Sequence, residues 1–127
     1  EKSFRKDSKE HPDIAASGPT YSRTVRAGNL QFIAGCTARG TAAQGRTLIR
    51  QLRVTLDRIA ADLGGAPWDV VKITTFGLHL HGRLEGLHGD NEYLFAEFFE
   101  GFYPANTLVE IKALSASDLE VEVEAIA

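Results

Sequence analysis

The chain has 127 residues, which fits one domain and is long enough to fold around a hydrophobic core without a disulfide or metal. Apolar residues make up 43% and charged residues 24%, as in ordinary globular proteins, and no apolar run approaches the ~20 residues of a membrane span. The net charge of −3 argues against a protein built mainly to hold nucleic-acid phosphates. The single cysteine, Cys36, suits a reducing compartment such as the cytoplasm.

The chain begins with a polar lead-in and continues with strand-type sequence. Residues 1–16 are predicted to be a flexible N-terminal segment, because they mix charged residues of both signs with a proline. Residues 21–35, YSRTVRAGNLQFIAG, contain two short runs of strand type joined at Gly28-Asn29. A Gly-Asn pair between such runs is typical of a hairpin turn.

Residues 47–65, TLIRQLRVTLDRIAADLGG, carry the clearest helical pattern. Large aliphatic residues recur at steps of three and four and define one helical face: Leu48, Leu52, Leu56, Ile59 and Leu63. Gly64-Gly65 predicts a left-handed end to the helix. Arginines cover much of the remaining surface, which is typical of a solvated face. RNA binding has little support, because the chain lacks basic residues interleaved with aromatic ones.

Four further elements are predicted after this helix. Residues 68–82, WDVVKITTFGLHLHG, are rich in β-branched residues and predict a strand. A second helix is expected over about 90–100, with Asp90 as N-cap and an apolar stripe that includes Asn91, Leu94, Phe95 and Phe98. Strands over 106–114 and 119–127 complete the chain.

The order β-β-α-β-α-β-β predicts an α+β domain, a mixed sheet with two helices packed on one face. If the last two strands form a hairpin, pairing Ala113 with Leu119 puts the apolar residues of both strands on one side. In that register Glu122 lies opposite Glu110, and the repulsion between facing carboxylates predicts a raised pKa for one of them. The second face would carry Asn106, Leu108 and Glu110 beside Glu120, Glu122 and Glu124.

Several spaced segments resemble the RidA/YjgF family of enamine and imine deaminases, also labelled endoribonuclease L-PSP. They are YSRTVRAGNLQFIAG, QLRVTLDRI, DVVKITTF, YPANTLVEI and the closing VEVEAIA, in this order. The resemblance covers residues 17–127 and implies a chorismate-mutase-like fold. It also implies a homotrimer that binds a small molecule in clefts between subunits, with no cofactor, no metal and no membrane.

The resemblance also places candidate site residues, with departures from the family pattern. Asn106 stands where the family keeps an arginine that holds the substrate carboxylate, Leu108 where a cysteine is common, and Ala34 where a serine is found. Glu122 matches the glutamate that orients the attacking water, and Tyr21 matches a tyrosine of the site. The other expected lining residues are Gly35, Thr107 and Cys36.

These matches imply a hydrolytic deaminase whose substrate is shifted from small 2-imino acids, because an amide holds a carboxylate less tightly than a guanidinium. A non-catalytic small-molecule binder on the same scaffold is the alternative. Each residue also has a structural explanation: Glu122 as part of a solvated strand face, Tyr21 as a half-buried strand aromatic, and Cys36 as a small buried hydrophobic residue.

A histidine-rich stretch follows the third predicted strand. His79 and His81 are two residues apart on that strand and would point the same way, with Glu85, His88 and Asp90 shortly after. Such a group can hold zinc, but it can equally face solvent or form a lid over a cleft.

Overall fold

The computed structural model describes residues 4–7, 21–80 and 94–127. Two helices, α1 and α2, occupy Leu48–Asp62 and the described residues 94–99. A short 3₁₀ turn, Pro67–Asp69, leads into β4. The six strands are β1 (Phe4–Asp7), β2 (Thr24–Ala27), β3 (Leu30–Cys36), β4 (Lys72–Leu78), β5 (Ala105–Ile111) and β6 (Val121–Ile126).

The strands form one mixed sheet in the order β1-β2-β3-β6-β4-β5. β4 and β5 run parallel, and every other neighbouring pair is antiparallel. The predicted α+β mixed sheet is therefore confirmed. β1, for which the sequence predicted no strand, pairs with β2 as an additional edge strand.

The predicted hairpin between the last two strands is wrong. β4 lies between β5 and β6 and pairs with both, in parallel with β5 and antiparallel with β6. Glu122 is therefore level with Phe76 of β4, whereas Glu110 is level with Gly77. Hydrophobic alternation could not reveal the strand order. It predicts which side chains of a strand face the core, but the same side chains face the core whichever strand lies beside it.

The two faces of the sheet differ in what covers them. The helix-side face carries the buried Ile73, Val121, Val123 and Ala125, which join one core cluster with the aliphatic residues of α1 and with Leu94 and Phe99 of α2. The opposite face, called the open face here, carries the alternate residues of the same strands. They include Lys72, Thr74, Phe76, Glu122, Glu124 and Ile126.

Helix α1 begins as its sequence predicts and ends differently. The Thr47 hydroxyl caps the first turn by accepting from the Arg50 N–H. The predicted glycine end is wrong: Leu63 takes an extended conformation, φ −67° and ψ 136°, and its N–H donates to the Ile59 carbonyl. Gly64 and Gly65 follow outside the left-handed region.

The prediction for α2 is confirmed in part. Leu94 is buried, and Phe95 and Phe98 pack against the core, but the most buried aromatic side chain is Phe99, which the predicted stripe omitted. Asp90 and Asn91 lie outside the described residues. His79 is not on a strand as predicted, because β4 ends at Leu78 and His79 has a φ of 51°.

Candidate functional site

The structure divides the residues proposed from the sequence between the two sheet faces. Asn106 and Leu108 are level with Ile73 and Thr75, and so lie on the helix-side face, at the exposed edge strand β5. Glu122 lies on the open face. The prediction that these three residues share a face is therefore wrong, and its cause is the wrong partner assigned to β6.

A bulge in β3 shapes the surroundings of Glu122. Ile33 pairs with Ala125 and Cys36 pairs with Val123, so that Ala34 and Gly35 together face a single residue of β6. Such a bulge bends a strand locally and re-aims its side chains. It allows Ile33 and Cys36 both to enter the core while Ala34 faces the open side.

Gly35 provides the space that Glu122 occupies. A Cβ atom at position 35 would lie 2.8 Å from both Cδ and Oε1 of Glu122. The Glu122 carboxylate therefore rests directly against the backbone of the bulge, on a site that only glycine leaves open.

The Glu122 carboxyl is half-buried. Burial, and secondarily the charge of Glu124, raises its pKa. The sequence predicted a raised pKa from the wrong neighbour, Glu110. A raised pKa brings the carboxyl closer to the range in which it can both accept and return a proton near neutral pH.

Replacing Gly35 with alanine is expected to displace the Glu122 carboxylate while leaving the fold intact, because the atoms in the way are the end of a flexible side chain. We expect a rate of imine hydrolysis lower by about tenfold or more, since misplacement by about 1 Å has a large kinetic cost. Kinetics and thermal unfolding of Gly35→Ala would check this. A rate equal to wild type would contradict it.

Asn106 is held by a hydrogen bond within the sheet. The buried Thr75 hydroxyl donates to its Oδ1 at 3.0 Å. With the oxygen engaged, the amide NH₂ is the end available to a ligand, and it offers neutral donors only. Leu108 lies two residues on along the same edge, 36% exposed.

Cys36 belongs to a buried polar group and not to the open face. Its side chain is 1% exposed, its thiol lies 3.4 Å from the Ala34 carbonyl, and burial raises its pKa to about 11. The Arg23 guanidinium lies 3.8 Å from the sulfur and forms an ion pair with Asp62 at 2.5 Å. A thiol with so high a pKa is protonated at neutral pH and unsuited to nucleophilic attack.

The remaining predicted residues are exposed. Tyr21 lies just before β2, and Thr107 lies on the open face of β5, where its hydroxyl accepts a hydrogen bond from Lys72 Nζ. Within the described part of the chain, no group of three or more histidine, cysteine, aspartate or glutamate side chains is placed to hold a metal ion. His81, Glu85, His88 and Asp90 lie outside it.

The open face also contains a pocket that the sequence did not predict. It has a volume of about 320 Å³. Its walls come from β2, β3, β4, β6 and the residue pair before β2: Ser22, Val25, Phe32, Ile33, Ala34, Lys72, Thr74, Glu124, Ala125 and Ile126. Of the predicted site residues only Ala34 is among them. Knowledge of the strand order would have been needed to find this set, since its members are spread over the whole sequence.

Within residues 4–7, 21–80 and 94–127, neither helix has the length and apolar composition that spanning a lipid bilayer requires.

Comparison with known proteins identifies the family. The family model of endoribonuclease L-PSP matches residues 11–127. A RutC family protein of Pyrococcus horikoshii is 34% identical over 117 residues, which is 87% of this chain and 86% of that protein.

Solved structures agree. The crystal structure of a member of the YjgF/YER057c/UK114 family from Mycobacterium tuberculosis superposes with a TM-score of 0.76 at 30% identity, covering 98% of each chain. A yjgF family member from Streptococcus pyogenes shares the fold, with a TM-score of 0.72 at 20% identity, over 100% of this chain and 97% of that one. The sheet order, the two helices on one face and these matches together show that the chain belongs to the endoribonuclease L-PSP family, which is the RidA/YjgF family.

Proposed function

We propose that this protein is a hydrolytic deaminase that converts a reactive enamine or imine to a carbonyl compound and ammonia. The observation that carries the proposal is the Glu122 carboxylate, half-buried against Gly35 with a raised pKa. A carboxyl in that state can take a proton from water as the water adds and return it to the leaving nitrogen.

The reaction proceeds by addition and elimination. Water adds to the carbon of the protonated C=N bond, and Glu122 accepts a proton from the water. The resulting carbinolamine receives that proton on nitrogen, and the C–N bond breaks. Ammonia leaves as the C=O bond forms and the hydroxyl proton passes to the Glu122 carboxylate, which releases it to solvent in place of the proton that first protonated the imine. The sum is one imine and one water giving one carbonyl compound and one ammonia. The exposed Tyr21 is proposed to contribute a hydroxyl at the same cleft.

We further propose that the cleft is completed between subunits of a homotrimer. Asn106 and Leu108 cannot meet Glu122 around one ligand within a chain, because they lie on the other face of the sheet and two strands away. Five of the seven residues of edge strand β5 are exposed, and the large apolar side chains of Phe102 and Tyr103 lie exposed just before it. Docking of this edge against the open face of another copy would bring the two groups together and cover these side chains.

The substrate is proposed to differ from small 2-imino acids because Asn106 offers only neutral donors. Asn106→Arg is expected to lower KM for imines bearing a carboxylate by about tenfold or more, since charge-assisted bonds are about twice as strong as neutral ones. KM for imines without a carboxylate should not improve. Asn106→Leu is the matched control, and an equal effect of arginine on both substrate types would contradict the prediction.

Ammonia release from a broad panel of enzymatically generated imines tests the central proposal. Hydrolysis faster than in buffer for at least one imine supports it, and no acceleration for any of them overturns it in favour of a non-catalytic small-molecule binder. Endoribonuclease activity is not favoured, because the chain has a net negative charge. The open face also carries Glu122 and Glu124 close to Lys72 of β4, so it is not a basic surface.

A further inference from the structure

We propose that Thr75 is a positioning residue that fixes the orientation of the Asn106 amide. As a result, the site selects an enamine or imine that carries an uncharged carbonyl group, such as an amide or ester, in place of a carboxylate. The role given to Asn106 rests on the proposed function, in which this residue meets the ligand in the cleft between subunits.

Thr75 and Asn106 form a diagonal pair on the neighbouring parallel strands β4 and β5. Thr75 is level with Leu108 of β5, whereas Asn106 is level with Ile73 of β4. Thr75 is 2% exposed within a single chain. Its burial comes from its own chain, so association with another copy does not alter it.

The buried hydroxyl of Thr75 decides which end of the Asn106 amide faces outwards. A hydroxyl has one O–H donor, and a buried donor that loses its acceptor is costly. Among the described residues, the acceptor for this O–H is Asn106 Oδ1 at 3.0 Å. If the amide were turned over, Nδ2 would face the hydroxyl and the O–H would lose that acceptor. The bond therefore holds Oδ1 inwards and leaves the Nδ2 donors for a ligand.

These donors can bind either a carbonyl oxygen or a carboxylate oxygen, and desolvation distinguishes the two. A carboxylate that enters the cleft loses its hydration, which is costly unless a cation pairs with it. The neighbours of Asn106 on this face of β4 and β5 are the uncharged Ile73, Thr75 and Leu108. Glu122, which the proposed cleft brings in from another copy, would repel an anion further. An uncharged carbonyl accepts the same hydrogen bonds at a smaller desolvation cost.

Three stable ligands with one carbon skeleton test the selectivity on the purified, assembled wild-type protein. They are 2-oxobutanamide, methyl 2-oxobutanoate and 2-oxobutanoate, the carbonyl products expected from an amide, an ester and an acid. Calorimetry and the chemical shifts of the Asn106 side-chain NH₂ measure binding. We expect the amide and the ester to bind saturably and to shift these signals, and the acid to bind at least about tenfold more weakly.

The ester reports the orientation of the Asn106 amide. Both the ester and the amide offer a carbonyl acceptor, but only the amide offers N–H donors. If Asn106 presents its Nδ2 donors, the affinities of the two ligands should differ by less than about threefold. If Asn106 instead presents its oxygen, the ester should bind more weakly than the amide by more than that factor.

Variants of Thr75 test its positioning role. Thr75→Val removes the hydroxyl and keeps the branched shape, so it should weaken binding of 2-oxobutanamide by about threefold or more, the effect of one neutral hydrogen bond. Thr75→Ser keeps the hydroxyl and should restore the wild-type affinity, which a role in packing alone would not predict. Thr55→Val is the matched control, because Thr55 is also fully buried but donates to the Gln51 carbonyl within α1.

Four results would overturn the proposal. They are no saturable binding of the amide, an acid that binds as tightly as the amide, an ester weaker than the amide by more than about threefold, or wild-type affinity in Thr75→Val. The first three use the wild-type protein and decide the question even if Thr75→Val does not fold. Because the readout is binding, a protein that releases no ammonia from any imine could still satisfy the proposal, and an active deaminase could still fail it.

Discussion

Glu122→Gln is expected to lower the rate of imine hydrolysis by about 10²–10⁴-fold, the usual contribution of a positioned general acid–base group. Glutamine preserves the size of the side chain and its fit against Gly35 but cannot exchange a proton with water. Single-turnover ammonia release from the best imine of the panel is the measurement. Wild-type activity in Glu122→Gln would show that Glu122 takes no part in the proton transfers of the reaction.

The same substitution should not destabilise the protein at neutral pH. A carboxyl whose folded-state pKa is raised contributes stability that is present at pH values below its unfolded pKa and lost as the pH rises through the folded pKa. Neutral pH lies above the unfolded pKa of a glutamate, so Glu122 opposes folding slightly there, and the uncharged glutamine does not. A lower Tm for Glu122→Gln at neutral pH would show that the pKa argument is wrong.

Glu124 gives a second test of the same pKa. Its charge helps to raise the pKa of Glu122, so Glu124→Gln should move the acidic limb of the pH–rate profile to lower pH. Glu97→Gln removes an equal charge far from the site and should leave the profile in place.

Arg23→Met is expected to lower the free energy of unfolding by about 1.5–3 kcal/mol, the usual contribution of a charge-assisted hydrogen bond, because this ion pair is part-buried. The side chains of Arg23 and Asp62 are 15% and 12% exposed, so methionine would leave the Asp62 carboxylate without its ion-pair partner and only partly accessible to water. Urea unfolding followed by circular dichroism measures the change.

An exposed pair in the same chain provides the matched control. Arg53 and Glu97 are 3.6 Å apart and are 58% and 67% exposed, so Arg53→Met should cost no more than about 1 kcal/mol. The double variant Arg23→Met/Asp62→Leu should recover much of the loss, because no buried charge then remains. If Arg23→Met and Arg53→Met lower the free energy of unfolding equally, the Arg23–Asp62 pair stabilises the fold no more than the exposed pair does.

The local elements of this protein were predictable because each depends on residues close together in the chain. Gly28 has a φ of 59° at the first of the two residues between β2 and β3, as the Gly-Asn turn required. The apolar period from Leu48 to Ile59 placed α1. Spaced motifs identified the family and, through it, the fold.

The sequence did not predict the burial of residues whose environment is formed by distant parts of the chain. Gln51 and Thr55 are fully buried on α1 although neither belongs to its aliphatic period. Gln51 is tolerated there because its amide donates to the Arg46 and Asp118 carbonyls and accepts from the Glu120 N–H, partners that lie on both sides of it in the sequence.

The candidate site shows the same division. The sequence alone indicated Glu122, Asn106 and Gly35 as candidate site residues. It also determined that Glu122 and Val123 point to opposite faces of their strand. Only the tertiary structure decided that β4 separates β5 from β6, that Glu122 rests against Gly35, and that Lys72 and Glu124 share a pocket. Alternation along a strand is a local property with a period of two, whereas the choice of a neighbouring strand depends on the packing of the whole sheet against its helices.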